Sequence, residues 1–149
     1  MLSKSSTYAI QASAYLARKE ALDSLDEHPA VYTPVLEISE ALNIPYHFLK
    51  KIIAVLVQHK ILRSQRSSRG GVALSKPAKT ISLLDIIIVA DGKEPFTECL
   101  LGLKDCSDAT PCAMHTTWAV ERTRLRLMFS STTLADVASR MYTKGLRIA

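Results

Sequence analysis

The sequence predicts a mainly α chain with a small β element, an α+β fold, on three observations. Helical periodicity recurs through most of its 149 residues. Two helical stretches in the first half are separated only by a tight turn, and a glycine-rich hairpin pattern follows the second of them. The length suits one domain with a real core and an appended element. Hydrophobic content of 48% and charged content of 22% are ordinary for a globular protein.

The first helix is expected over about residues 6–19, with Ala9, Ala12, Ser13 and Leu16 on one face and Tyr8 and Tyr15 beside them. A polar, acidic loop with His28-Pro29 follows over 23–32. Thr33-Pro34 reads as an N-cap followed by proline at the first helical position, opening a short helix with Val35, Ile38 and Leu42 inward. Asn43 suits a left-handed stop. A third helix is expected from Ile44-Pro45 to about Lys60, with Leu49, Ile52, Ile53 and Leu56 as its buried stripe. Its free side carries His47, Lys50, Lys51, Ala54 and Gln58. Residues 61–66 read as a strand, Ser67-Ser68-Arg69-Gly70-Gly71 as a turn and 72–74 as the return strand, ended by Pro77. Two helices across a tight turn and then a basic hairpin make a winged helix-turn-helix unit.

Ser82, with Asp85 three residues on, is expected to cap a short apolar helix that stops at Asp91-Gly92. A cysteine-bearing loop leads to a long helix over about 111–129, with Trp118, Leu125 and Met128 on one side. That helix serves as core or as a dimer seam. Arg122, Arg124 and Arg126 alternate along it, do not share a face, and read as solvated surface. Thr133 with Asp136 opens a last helix to about residue 142, and the tail frays after Gly145.

The net charge of +5 is unevenly distributed. Residues 45–80 hold eight Lys and Arg and no Asp or Glu, so eleven bases face fourteen acids elsewhere, a balance of −3. A solvated surface ordinarily mixes both signs, and an acid-free block points to a polyanion, nucleic acid before membrane. His47, Lys50 and Lys51 are the candidates for the groove, and Arg66 and Arg69 for contacts from the wing. Helix-turn-helix proteins usually act as two-fold dimers on pseudo-palindromic double-stranded DNA, so a homodimer is expected. The longest apolar run, 86–90, is far too short to span a bilayer, and the N-terminus has no apolar leader, which fits a cytoplasmic protein. No glycine-rich phosphate loop, nucleophile elbow or carboxylate pair asks for an enzyme.

All three cysteines, Cys99, Cys106 and Cys112, fall within fourteen residues, and His115 follows the last by three. Three thiolates and an imidazole are a ligand set for zinc or an iron–sulfur cluster. The gaps of six and five residues are unlike the tight knuckles of most structural zinc sites, and a wrapping loop suits a larger object such as a [2Fe–2S] cluster. Structural zinc, unligated redox thiols and a small iron–sulfur electron carrier are the alternatives. His28 and His59 have no cysteines near them and read as surface or cap residues.

An ordered set of segments carries a resemblance over nearly the whole chain. It comprises residues 4–9 (Lys-Ser-Ser-Thr-Tyr-Ala), 37–45 (Glu-Ile-Ser-Glu-Ala-Leu-Asn-Ile-Pro) and 48–52 (Phe-Leu-Lys-Lys-Ile). The wing over 62–74, the three cysteines, residues 113–118 and residues 133–137 complete it. These resemble the IscR/NsrR-type winged-helix transcriptional regulators with iron–sulfur sensing. The resemblance implies a homodimer whose cluster sits on Cys99, Cys106 and Cys112. In IscR-like members a histidine matching His115 completes a [2Fe–2S] site; in NsrR-like members an acid from the partner's first helix does so, and Thr7 stands at that position here. The histidine-ligated [2Fe–2S] version is therefore expected, with [4Fe–4S] as the alternative. His47, Phe48, Lys50, Lys51 and Arg66 are the DNA-binding positions carried over. The implied layout is a DNA-binding domain over 1–80, a connecting helix and cluster loop over 81–110, and a dimerisation helix with a C-terminal helix over 111–149. The implied function is regulation, with repression as the expected sense, tuned by oxygen, nitric oxide, redox state or iron.

Overall fold

A computed structural model of the chain describes residues 2–23, 32–67 and 70–143. Residues 24–31 of the expected acidic loop, including His28, lie outside the described residues, as do Ser68, Arg69 and the tail beyond 143. The chain runs α1 (Lys4–Asp23), α2 (Val35–Leu42), α3 (Tyr46–Gln58), β1 (Leu62–Gln65), β2 (Gly71–Leu74), α4 (Leu83–Asp91), α5 (His115–Ser131) and α6 (Leu134–Thr143), with a 3-10 turn at Ala78–Thr80 between β2 and α4. This is the mainly helical fold with one small antiparallel sheet that the sequence predicts.

α1 is longer than expected at both ends. The Ser3 hydroxyl accepts the Ser6 N–H at 3.0 Å, which satisfies one orphan donor of the first turn. Its buried side is made of small residues, Ser6, Ala9, Ala12, Ser13 and Ala17, with Leu16. This lets α2, α3, α4, α6 and β2 all pack against it. Tyr15 Oη and Lys19 Nζ both donate to Glu37 Oε1, at 3.1 and 2.7 Å, and tie α1 to α2.

The helix-turn-helix forms as expected at its turn. Asn43 adopts φ 51°, ψ 42°, and the Ile44 N–H returns to the Ser39 carbonyl at 3.0 Å. Leu49, Ile52, Ile53 and Leu56 are buried. α3 ends two residues short of the expected Lys60. Lys60 itself takes φ 58°, with its N–H on the Val57 carbonyl at 3.0 Å and the Ile61 N–H on Leu56 at 2.9 Å. That double bond is a Schellman closure with lysine in the left-handed place usually held by glycine.

Thr33 does not cap α2. Pro34 stands at the cap position and no side chain bonds there. Thr33 is instead bridged to Val72, exchanging two backbone hydrogen bonds of 2.9 Å, so it acts as a third strand position on the edge of the hairpin. The β1–β2 register pairs Leu62 with Leu74 and Gln65 with Gly71. The Thr33 backbone passes so close that a Cβ on Gly71 would stand 2.2 Å from its carbonyl oxygen. Only glycine admits that approach.

α4 and α6 start side by side. Ser82 and Asp85 form the expected capping box, and Thr133 and Asp136 form a second. The two entrances are clasped backbone to backbone, Leu83 N–H to Thr132 O at 2.9 Å and Leu134 N–H to Ile81 O at 3.0 Å. Gly92 ends α4 in the left-handed region, φ 70°. α5 begins at His115 rather than near Pro111, and among the described residues none of its side chains is buried. Trp118 and Leu125 are half-buried, whereas Met128, expected beside them, is exposed together with Val120 and Leu127. No described helix is long and apolar enough to cross a membrane.

Gly71→Ala should drive the new methyl into the Thr33 backbone and lower stability by about 1–3 kcal/mol, as urea unfolding will measure. The same substitution at Gly102, where nothing lies within 4 Å of the added Cβ, carries no such clash and reports only the backbone strain of its φ of 71°.

Candidate functional site

The three cysteines lie on the connection between α4 and α5, and α5 shapes that connection. Trp118 Nε1 donates to the Glu98 carbonyl at 2.9 Å, and Arg122 reaches the Thr97 carbonyl at 3.4 Å. Arg126 is paired with Glu94. Phe96 stacks on Phe129 with centroids 5.7 Å apart and meets Trp118 edge-on at 6.5 Å. Thus residues 118, 122, 126 and 129, at helical spacing, form one stripe that fastens the segment leading into Cys99. The sequence reading that puts Arg122 and Arg126 on different faces is overturned, although Arg126 is exposed as expected. They are four apart, share a face and hold the loop, while Arg124 pairs with Glu121 on its own helix.

Beyond Cys99 the chain turns through Gly102, φ 71°, whose N–H returns to the Cys99 carbonyl at 3.0 Å. This brings all three sulfurs within 4.8 Å of one another. The nearest approaches are Cys99 Sγ to Cys112 Sγ, 3.7 Å, and Cys106 Sγ to His115 Nδ1, 3.2 Å. His115 Nε2 lies 2.8 Å from Asp108 Oδ1. The three cysteines and His115 border a cavity of about 40 Å³ that Trp118 and Arg122 also line. Starting α5 at His115 leaves Cys112 in a preceding turn, its carbonyl accepting the His115 N–H at 3.0 Å, so both side chains face the same space.

Local hydrogen bonds distinguish the thiols. Cys99 is brought down to about 7, first by a backbone hydrogen bond from Leu103 and also by one from Leu101, so thiolate is present at neutral pH. At Cys106 a backbone hydrogen bond from Cys112 works downward, but burial and the adjoining Cys112 and Cys99 thiols outweigh it and push the group up. The donor set fits a soft metal. With metal–sulfur bonds near 2.3 Å, adjacent sulfurs of a tetrahedral site stand about 3.8 Å apart, close to the separation of Cys99 and Cys112. Thr7 stands in the first turn of α1, with its hydroxyl donated to the Ser3 carbonyl at 2.9 Å.

The candidate DNA face lies on α3 and just after β1. His47, Phe48, Lys50 and Lys51 are all exposed along α3, and Arg66 is exposed just after β1. Phe48 is braced edge-on by Tyr8 of α1 at 5.7 Å, and His47 by Tyr46 at 5.6 Å. Arg69 lies outside the described residues. Arg63, also in the basic block, lies with its guanidinium 5.5 Å from the Tyr32 ring centroid and near Glu20, so it is held against the fold. Sequence reasoning missed Asp108, which carries no motif. It also missed the Trp118–Glu98 bond, for which four-residue spacing along α5 was the available signal.

A sequence profile of the Rrf2 family, described as iron-dependent transcriptional regulator, matches residues 2–140. The chain is 31% identical over 132 residues to a helix-turn-helix-type transcriptional regulator of Aquifex aeolicus, covering 87% of this chain and 85% of that one. Its structure is similar to that of CymR, the global cysteine regulator of Bacillus subtilis, with a TM-score of 0.75, 26% identity, and coverage of 93% of this chain and 96% of CymR. It shares its fold with T. potens IscR, with a TM-score of 0.73 at 22% identity, over 99% and 92% of the two chains.

Trp118→Phe keeps an aromatic edge for Phe96 and removes the N–H held by the Glu98 carbonyl. A stability loss of about 0.5–1 kcal/mol and faster amide exchange over 94–99 are expected by hydrogen-exchange mass spectrometry. Unchanged exchange would show that the Trp118 N–H does not restrain this segment.

Proposed function

Because the chain belongs to the Rrf2 family of transcriptional regulators, we propose that its grip on a pseudo-palindromic operator is set by an iron–sulfur centre. Cys99, Cys106, Cys112 and His115 hold the centre in this reading, [2Fe–2S] before [4Fe–4S]. The observation that carries it is the gathering of three sulfurs within 4.8 Å, with an imidazole nitrogen 3.2 Å from one of them. They meet between a helix packed on the DNA-binding half and a helix left exposed. Among these donors Cys99 lies beside Cys112 and Cys106 beside His115. When bound, such a centre supplies one-electron chemistry and sensitivity to oxygen, nitric oxide and iron supply.

The chain's own residues convert that occupancy into DNA affinity. Ligation requires the three thiolates to keep fixed separations, so the loop over 99–112 is ordered as one piece. The helix that leads to it is tied to the start of α1, since Asp91 at the end of α4 accepts a hydrogen bond from the hydroxyl of Ser3, which precedes α1. The loop's exit is the first turn of α5. Ordering the loop therefore sets α5 against α4 and α1. In the homodimer a second copy packs on α5 at the exposed Val120, Leu127 and Met128. The setting of α5 then determines the separation of the two α3 helices, and so the half-site spacing they span. The coupling needed is modest, about 1–3 kcal/mol. On DNA, Lys50, Lys51 and Arg66 contact phosphates, and the residues early in α3, His47 and Phe48, lie nearest the base edges. The operator places this work in the cytoplasm, with repression as the sense.

The compactness of the sulfurs favours one rival, a single tetrahedral zinc ion with a structural role. Iron and acid-labile sulfide counts on anaerobically purified protein separate the two. Stoichiometric iron and sulfide are expected, and zinc alone would decide for the rival. Cys106→Ala should remove the chromophore and change operator affinity. Equal affinity of the variant and the native protein at every promoter tested would end the sensing role and leave DNA binding intact. Lys51→Ala should weaken binding to all sequences alike and reduce the salt slope by about one unit, as fluorescence anisotropy titrations at several salt concentrations will read.

A further inference from the structure

We propose that Asp108 is the positioning residue for His115, holding the imidazole so that Nδ1 faces the sulfurs as a metal donor. The inference deepens the proposed function and rests on His115 being a ligand. A neutral imidazole carries one proton, and the nitrogen that donates to a carboxylate is the one that bears it. With Nε2 2.8 Å from Asp108 Oδ1, the proton belongs on Nε2. The lone pair of Nδ1 then points to the side where Cys106 Sγ lies 3.2 Å away. The ring is thus held at both edges, as metal-binding histidines commonly are.

Asp108 is placed by its own loop. Between Cys106 and Cys112 the Thr110 N–H donates to Ser107 Oγ at 3.2 Å, the Ser107 N–H to the Thr110 carbonyl at 3.3 Å, and the Thr110 hydroxyl to the Asp105 carbonyl at 2.5 Å. The result is a compact turn that carries Asp108 on its outer side. The His115 side chain is only 14% exposed while that of Asp108 is fully exposed. A hydrogen bond to so exposed a carboxylate contributes little to stability. What the contact does is select the orientation and tautomer of a largely enclosed ring.

The test uses Co(II) alone as the probe, titrated anaerobically into the metal-free full-length chain. Wild type, Asp108→Ala, Asp108→Asn, His115→Ala and the Asp108→Ala/His115→Ala double variant are compared by affinity and by the ligand-field bands of the bound ion. Asp108→Ala is expected to weaken Co(II) by about tenfold, the low end of the range for such partners, and to shift the bands. Asp108→Asn, which keeps an acceptor oxygen, should recover part of the loss. In the His115→Ala background, Asp108→Ala should have no further effect. Equal losses in both backgrounds, or none in either, would overturn the role of Asp108 while His115 remains a ligand. A His115→Ala protein that binds Co(II) as tightly as wild type, with the same bands, would remove the ligand reading of His115 and this inference together.

Discussion

How closely α1 can be approached determines the rest of the structure. α2, α3, α4, α6 and β2 all pack against this one helix. A helix surrounded in this way can bury little bulk of its own. Its interior side is accordingly Ser6, Ala9, Ala12, Ser13 and Ala17, and the volume is supplied by Ile38, Leu49, Leu56, Ile86 and Leu134 from its neighbours. One core therefore serves both the helix-turn-helix and the helices that follow it. Whatever displaces α4 or α6 is felt by the helix that also supports α3, through contacts such as Tyr8 on Phe48.

α5 is the exception, and its lack of buried side chains follows from the same geometry. Among the described residues it packs on α4 but not on α1, and turns its Trp118–Arg122–Arg126–Phe129 stripe to a loop. The loop supplies carbonyls and an aromatic ring in place of an apolar surface. Cys99 directly follows the fastened segment, and Cys112 and His115 open the helix that fastens it. Cys106 and Asp108 sit on the intervening excursion. Backbone hydrogen bonds from Leu103 and Leu101 then bring the Cys99 thiol down, whereas burial and the adjoining thiols push Cys106 up.

Features decided by neighbours in sequence were legible in advance. Asn43 at the helix stop, the α3 stripe, and the Ser82–Asp85 and Thr133–Asp136 caps each depend on residues within four positions, where local rules apply. Thr33 was misread because two local uses compete for it, a cap for α2 or a strand position, and its distant partner Val72 decides. The start of α5 was misplaced because Pro111 is a good first helical residue, yet the turn holding Cys112 occupies that place. Arg122 and Arg126 were compared with Arg124 at a spacing of two, although helices bring together residues four apart. For the candidate site, the donor types and their number could be read from the chain. Their pairwise separations, and the Asp108 carboxylate behind His115, arise from the path of a loop without periodicity.

The clasp between Ile81-Leu83 and Thr132-Leu134 sits at the far end of α5, about 25 Å from His115 at 1.5 Å per residue over seventeen residues. α5 is thus anchored to the body of the molecule at this end, with its other end at the cysteines. The clasp is the fulcrum, and a small sideways step at His115 sweeps the outer surface at Val120 further than it moves Leu127 or Met128. A subunit leaning on that surface would be tilted rather than pushed.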